Sequence, residues 1–314
     1  MLKLDLNLEE LSKIVKKEKA NQFLIELPEG LKHNAFNIIS NLKKTGKKFV
    51  LSIDTTYGAC DLYETELKKA NCQAIIHFGH TKFVLKKIKQ NVIYWPCYYK
   101  YNSSDIKHFV KDIENKFSEK KVTIVGPIQY KNVILETIKM LNKNKKVKVI
   151  NGKKTRLLEK TQILGCNTTS IKDITNKVDA VIYFGDGNFH FEALKNFKTY
   201  KYLVYKGFEE LKENSKKPNY DAIFLNAKNI GIYVSSKIGQ NKIKIAENIA
   251  QKIGHLKKNS IILYGNELNN NKLLGLNIDL LINTACPRIS DDYKNYSLAI
   301  INYKEFLEIY QKYC

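Results

Sequence analysis

No apolar run in this sequence is long enough to cross a membrane. Runs such as 73–78 and 180–184 are five or six residues long, whereas a spanning helix needs about 20. The N-terminus sets Asp5, Glu9 and Glu10 close together where a secretory leader would be basic and then apolar, so a cytoplasmic location is expected. Cysteine density and Cys-x-x-Cys pairs are also missing. The six cysteines, at 60, 72, 97, 166, 286 and 314, stand far apart, which excludes a secreted disulfide scaffold and argues against a closed structural zinc site. Reduced thiols are therefore available as metal ligands. Arginine is nearly absent: only Arg156 and Arg288 occur. Arg288 stands two residues past Cys286, where a planar, bidentate anion clamp would need arginine and not lysine; a surface ion pair is the plainer alternative.

The 314 residues can bury a large core and suggest two domains or three small ones. With 44% hydrophobic and 27% charged residues, the balance is that of a folded globular protein. The net charge of +22 is almost all lysine scattered along amphipathic stretches. That pattern fits a solvated surface better than a nucleic-acid site, although a basic surface also steers a chain toward acidic partners.

Short β-branched or aromatic runs alternate with lysine-rich segments of helical period, the pattern of parallel sheets covered by helices. The class expected is α/β. Strands are expected at 23–27, 48–54, 74–79 and 92–95; then at 122–126, 146–150, 161–165, 180–185 and 202–205; then at 222–225, 231–235, 261–264, 279–283 and 298–302. These fall into three similar Rossmann-like units arranged as a pseudo-threefold triplication, with domains at 1–104, 105–208 and 209–314. No Gly/Ser linker marks the boundaries. A weak internal echo supports repetition: Ala74-Ile75-Ile76-His77-Phe78-Gly79-His80 is similar to Ala180-Val181-Ile182-Tyr183-Phe184-Gly185-Asp186.

In open parallel sheets, ligands bind outside the carboxyl ends of the strands. The chemically unusual residues cluster there. They include Leu27-Pro28-Glu29-Gly30, Asp54-Thr55-Thr56-Tyr57-Gly58-Ala59-Cys60, Gly79-His80-Thr81, Gly126-Pro127-Ile128-Gln129, Leu164-Gly165-Cys166, Gly185-Asp186-Gly187-Asn188-Phe189-His190 and Thr284-Ala285-Cys286-Pro287-Arg288. Each unit offers one cysteine: Cys60, Cys166 and Cys286, spaced 166 − 60 = 106 and 286 − 166 = 120 residues apart. Three thiolates suit a cubane that leaves one iron open to substrate; from spacing alone, small buried packing residues are the commoner account of them. Cys72 precedes a strand and reads as packing, Cys314 as idle, and Cys97, after Trp95-Pro96, as the only competitor.

These motifs, together with His77-Phe78-Gly79-His80 and Pro287-Arg288-Ile289-Ser290-x-Asp292, resemble the diphthamide synthesis radical enzymes, the 2-(3-amino-3-carboxypropyl)histidine synthase family, in their archaeal homodimeric form. The resemblance runs in order from about residue 20 to 293. It implies a 4Fe-4S cluster held by Cys60, Cys166 and Cys286, and S-adenosylmethionine as cosubstrate. It also implies radical transfer of a 3-amino-3-carboxypropyl group to a histidine of elongation factor 2, a homodimer and a separate electron donor. Membrane and nucleic-acid partners are not expected. By the same resemblance the cofactor-binding residues are Gly185, Gly187, His190, Arg288, Gln129, Asp54 and His80, with Glu29 a further hydrogen-bonding group. His80 and His190 also read as satisfied structural histidines, and Gly185-x-Gly187 as a plain turn.

Two departures stand out. Gly126-Pro127-Ile128-Gln129 replaces the family's Gly-Thr-Ile-Gln, and Lys237 stands near a lost arginine. Competing functions are a quinolinate synthase-like 4Fe-4S dehydratase, a non-catalytic partner subunit and a nucleic-acid binder.

Overall fold

Apolar runs of about five residues become the buried strands of three sheets, and the lysine-bearing amphipathic segments between them become the helices that cover those sheets. The computed structural model describes residues 2–62, 64–83, 91–155, 158–210, 218–291 and 293–313. Arg156, Asp292 and Cys314 lie outside the described residues. The chain divides into two compact units, Met1–Glu213 and Asn214–Cys314.

In the first unit the strands are β1 (Lys3–Asp5), β2 (Gln22–Glu26), β3 (Lys48–Leu51), β4 (Ala74–Phe78), β5 (Asn91–Trp95) and β6 (Tyr98–Lys100). They continue as β7 (Lys121–Val125), β8 (Lys148–Val149), β9 (Ala180–Phe184), β10 (Thr199–Leu203) and β11 (Gly207–Glu210). The second unit holds β12 (Asn229–Ser235), β13 (Asn259–Gly265), β14 (Leu280–Asn283) and β15 (Ala299–Asn302).

One strand order recurs. The first sheet runs β3-β2-β4-β5, the third β13-β12-β14-β15, and the second, read in the same sense, β8-β7-β9-β10 with β11 added antiparallel at its edge. The four shared strands of each sheet are parallel. Each sheet leaves its first strand in one direction and returns on its other side, which creates a crevice at the carboxyl ends of the two central strands. The echoed segments are β4 and β9. Both are buried along their whole length and occupy the same place in the order.

Burial explains why these segments fold so. The helix Ser103–Phe117 turns Ile106, Phe109, Val110, Ile113 and Phe117 inward, and Asn102 and Asp105 close a reciprocal capping box at its start. Its apolar face packs with Ile124, Ile182, Phe184 and Tyr202 of the second sheet. In the second unit the helices Ile243–His255 and Tyr303–Tyr313 bury Ile249, Ile253 and Phe306 against Ile232 and Ile282.

Two expected strands are corrected. Residues 222–225 lie inside the helix Tyr220–Asn226, whose cap Asn219 accepts the Ala222 N–H at 3.2 Å. Residues 161–165 make only the isolated bridge Gly126↔Gln162 and the turn contact Leu164↔Asn167. The segment 202–205 is strand only to Leu203, within β10. The short strands β1, β6 and β11 were not expected.

Candidate functional site

Most of the unusual residues lie beyond strand ends, whereas Leu164-Gly165-Cys166 lies on the segment between β8 and β9. In the first unit the loops after β4, β7, β8 and β9 border a cavity of about 70 Å³, lined among others by His80, Gln129, Gln162 and His190. Ala59 and Leu164, near neighbours of Cys60 and Cys166, complete its wall. Three sequence-expected residues, His80, Gln129 and His190, are thus brought together beside two of the expected cysteines.

Each side chain is fixed by its loop. Gln129 Nε2 donates to the Gly79 carbonyl at 2.6 Å, tying the second sheet to the first. Gly79 has φ +78°, and a Cβ there would stand 3.0 Å from Pro28 Cγ, so the turn after β4 requires glycine. Gln162 Nε2 donates to the Thr81 hydroxyl at 3.2 Å. The Gly165 N–H donates to His190 Nδ1 at 2.9 Å; a neutral His190 therefore carries its proton on Nε2.

Behind His80 lies a buried pair that was not expected from sequence. His77 Nδ1 is 2.6 Å from Glu26 Oε2, and both side chains are fully buried. His77 Nε2 is 3.0 Å from His80 Nδ1, with the two rings 5.0 Å apart. Burial lowers His77 to about 3. Burial, then the neighbouring His77 and His190 rings, hold His80 well below the ordinary imidazole range against the pull of the Phe78 carbonyl. Both rings are neutral at physiological pH. The signal was present in the sequence: a glutamate closing the apolar run Phe23-Leu24-Ile25-Glu26, and a histidine inside Ile75-Ile76-His77-Phe78. Lys201 was likewise missed; it is buried and donates to Asn188 Oδ1 at 2.8 Å.

The other expected residues of this unit stand apart from the cavity lining. Asp54 is exposed on the loop after β3. Gly185 is buried at the end of β9, and Gly187 caps the short helix Asn188–Phe191. Glu29 accepts from Lys32 Nζ at 2.6 Å and from Thr55 Oγ1 at 2.8 Å, and these bonds hold its carboxyl below the usual range.

In the second unit a neutral amide network holds the cysteine loop after β14. Asn283, fully buried, donates to the Cys286 carbonyl at 2.7 Å and accepts the Ala285 N–H at 3.0 Å. Asn302 donates to the Pro287 carbonyl at 3.2 Å and to the Ser290 hydroxyl. Arg288 begins the helix Arg288–Asp291 and is only 6% exposed. Lys237 is equally buried, 3.8 Å from Glu267.

The thiols differ in kind. Cys60 and Cys286 are partly buried and Cys166 is exposed, each on a loop beyond a sheet. Cys97 is 1% exposed among core residues such as Leu27 and Phe78, and burial pushes its thiol up to about 11. Cys72 packs with Leu24, Leu67 and Ile75, and burial raises its thiol too. Thiolate ligation is therefore disfavoured at Cys72 and Cys97. Among the described residues, neither unit by itself gathers three His, Cys, Asp or Glu side chains that could hold a metal ion. No helix among the described residues is long and apolar enough to cross a membrane.

The sequence that builds these three parallel sheets and their cysteine loops matches a family model along nearly the whole chain. The model of the diphthamide synthesis protein family covers residues 27–312, and the chain belongs to that family. Its curated relatives are enzymes. The 2-(3-amino-3-carboxypropyl)histidine synthase of Pyrococcus horikoshii is 26% identical over 305 residues, covering 94% of this chain and 87% of its own. That of Methanocaldococcus jannaschii is 26% identical over 308 residues, covering 90% and 82%. Subunit 1 of the same synthase from Nematostella vectensis is 26% identical, covering 89% of this chain and 61% of its own. The crystal structure of Dph2 from Pyrococcus horikoshii has the same fold, with a TM-score of 0.82 at 24% identity over 99% of this chain and 91% of its own. A second structure of that protein, determined with a 4Fe-4S cluster, matches equally over 92% of its length.

Proposed function

We propose that this chain transfers a 3-amino-3-carboxypropyl group from S-adenosylmethionine to a histidine of elongation factor 2, the first step of diphthamide synthesis. A 4Fe-4S cluster ligated by Cys60, Cys166 and Cys286 serves the reaction. The names of the relatives and the cluster in the Pyrococcus horikoshii protein support the chemistry. The observation that carries the assignment to residues is the division among thiols: three on loops beyond the sheets, two sealed in cores with raised pKa.

When bound, the cluster supplies one electron to the sulfonium, so that its bond to the γ-carbon breaks to give methylthioadenosine and a 3-amino-3-carboxypropyl radical. This chain's own residues bind and orient. Arg288 offers two parallel N–H donors to the substrate carboxylate, an arrangement lysine cannot reproduce. Gln129, His190 and His80 line a small cavity where polar groups fix orientation. Gly185 and Gly187 let backbone approach the nucleoside, and Asp54 supplies an acceptor at the rim. The proposal further includes domains at 1–104, 105–208 and 209–314 derived by triplication, a homodimer of archaeal type, a separate electron donor and a cytoplasmic location.

The test is turnover under anoxia. Protein carrying its cluster and reduced with dithionite is expected to convert S-adenosylmethionine to methylthioadenosine, read by chromatography. A loaded cluster with no turnover would point instead to dehydratase chemistry of the quinolinate synthase kind.

A further inference from the structure

We propose that Glu26, His77 and His80 form a proton wire ending at the cavity, which takes up the proton released when the target imidazole is alkylated. The inference rests on the function proposed above and deepens it. The reaction requires a proton acceptor. Carbon 2 of the target imidazole loses its bond to hydrogen and gains a bond to carbon, while the sulfonium loses its bond to the γ-carbon and leaves as a neutral thioether. One proton is left over, and the electron spent on breaking the sulfonium bond is given back when the radical adduct on the imidazole loses that proton and becomes aromatic again, so no net electron is consumed.

The geometry supplies a place for that proton. With Glu26 ionised, its carboxylate accepts from His77 Nδ1–H at 2.6 Å, and His77 Nε2 accepts from His80 Nδ1–H at 3.0 Å. His80 Nε2 is then the lone pair of the ring that lines the cavity, the ring's N–H also being held by the Phe78 carbonyl. Uptake at that nitrogen moves each proton one place along. His80 becomes the Nε2–H tautomer, His77 donates from Nε2, and the last proton rests on Glu26 Oε2. Neither ring carries two protons at any stage, as their burial demands. The buried site passes from one net negative charge to none, which a low-dielectric interior favours. A structural Glu–His pair needs no second ring aligned toward a cavity. His190 on the cavity side of His80 and the Tyr94 ring against His77 are the other titratable groups facing the wire.

His80 is the group that meets the reacting imidazole, and Glu26 and His77 are positioning residues that act through it. The first test uses the full chain without its cluster, with histidine labelled by 15N. The ring nitrogen signals of His77 and His80 are expected to switch together, on acidification, from the Nδ1–H to the Nε2–H tautomer without an imidazolium stage, and Glu26→Gln is expected to abolish the switch. A ring that charges, two rings that titrate independently, or His80 fixed as Nε2–H at every pH would overturn the wire.

The second test uses the cluster-loaded enzyme and elongation factor 2 deuterated at histidine carbon 2. Glu26→Gln and His77→Asn should lower the number of groups transferred per thioether formed on the order of tenfold and introduce a deuterium isotope effect on transfer. Should transfer and thioether formation fall in parallel, with no isotope effect, the pair is structural. If the unaltered enzyme forms no thioether, the functional reading fails on its own, and the tautomer experiment still judges the wire.

Discussion

The loop that carries Cys286 is held by neutral amides, whereas the loops that carry Cys60 and Cys166 border a cavity walled by imidazoles. Asn283 and Asn302 fix the former through bonds that do not titrate. Glu26, His77 and His80 support the latter through bonds in which a proton can change sides. Sheets of one strand order thus differ in what they hold beyond their ends. The third holds Cys286 and a buried arginine beside neutral amides, and the first two hold a buried Glu–His–His chain beside a cavity.

The comparison can be broken most severely at the cysteines. Replacing Cys60, Cys166 or Cys286 singly by alanine is expected to abolish the brown 4Fe-4S absorbance of anoxically purified protein, while Cys97→Ala leaves it. Retention of the colour in any of the three would separate that loop from the cluster. The amide side is sharpened by Asn283→Ala, which strands the Ala285 N–H and the Cys286 carbonyl. Urea unfolding should show a loss of about 3 kcal/mol in stability.

The imidazole side has a signature in pH. His77 is neutral when folded, down to about 3, but takes a proton in the unfolded chain below its ordinary value near 6.5. Its contribution to stability is therefore complete above about pH 6.5 and is lost as pH falls toward 3. In a Glu26→Gln background, which removes the competing carboxyl, this ring should cost about 2 kcal/mol between pH 6.5 and 5. Unfolding curves at the two pH values, compared with the same background carrying His77→Gln, measure it. The smallest effect is expected for Gly79→Ala, about 1.5 kcal/mol from the positive φ alone, read as a lowered melting temperature.

Much of this was legible in the sequence where burial was uniform. The segments at 74–78 and 180–184, apolar along their length except for His77, became central strands because a sheet interior suits them. Ala222-Ile223-Phe224-Leu225 misled because a short apolar run fits a helical turn that buries one residue, here Phe224, as well as a strand; the cap at Asn219 distinguishes them. Edge strands such as Lys3–Asp5 carry too little apolar pattern to be seen. In the site, His80, Gln129 and His190 were found because they follow strand ends. Glu26 and His77 were not, since within a buried strand they interrupt the pattern that marks it, and their pairing joins residues 51 positions apart.

The central claim is tested most directly by mass spectrometry of the modified protein. Cluster-loaded, dithionite-reduced enzyme incubated under anoxia with S-adenosylmethionine and elongation factor 2 should leave one 3-amino-3-carboxypropyl group on carbon 2 of a single histidine. An unmodified elongation factor alongside an intact, reduced cluster would contradict it.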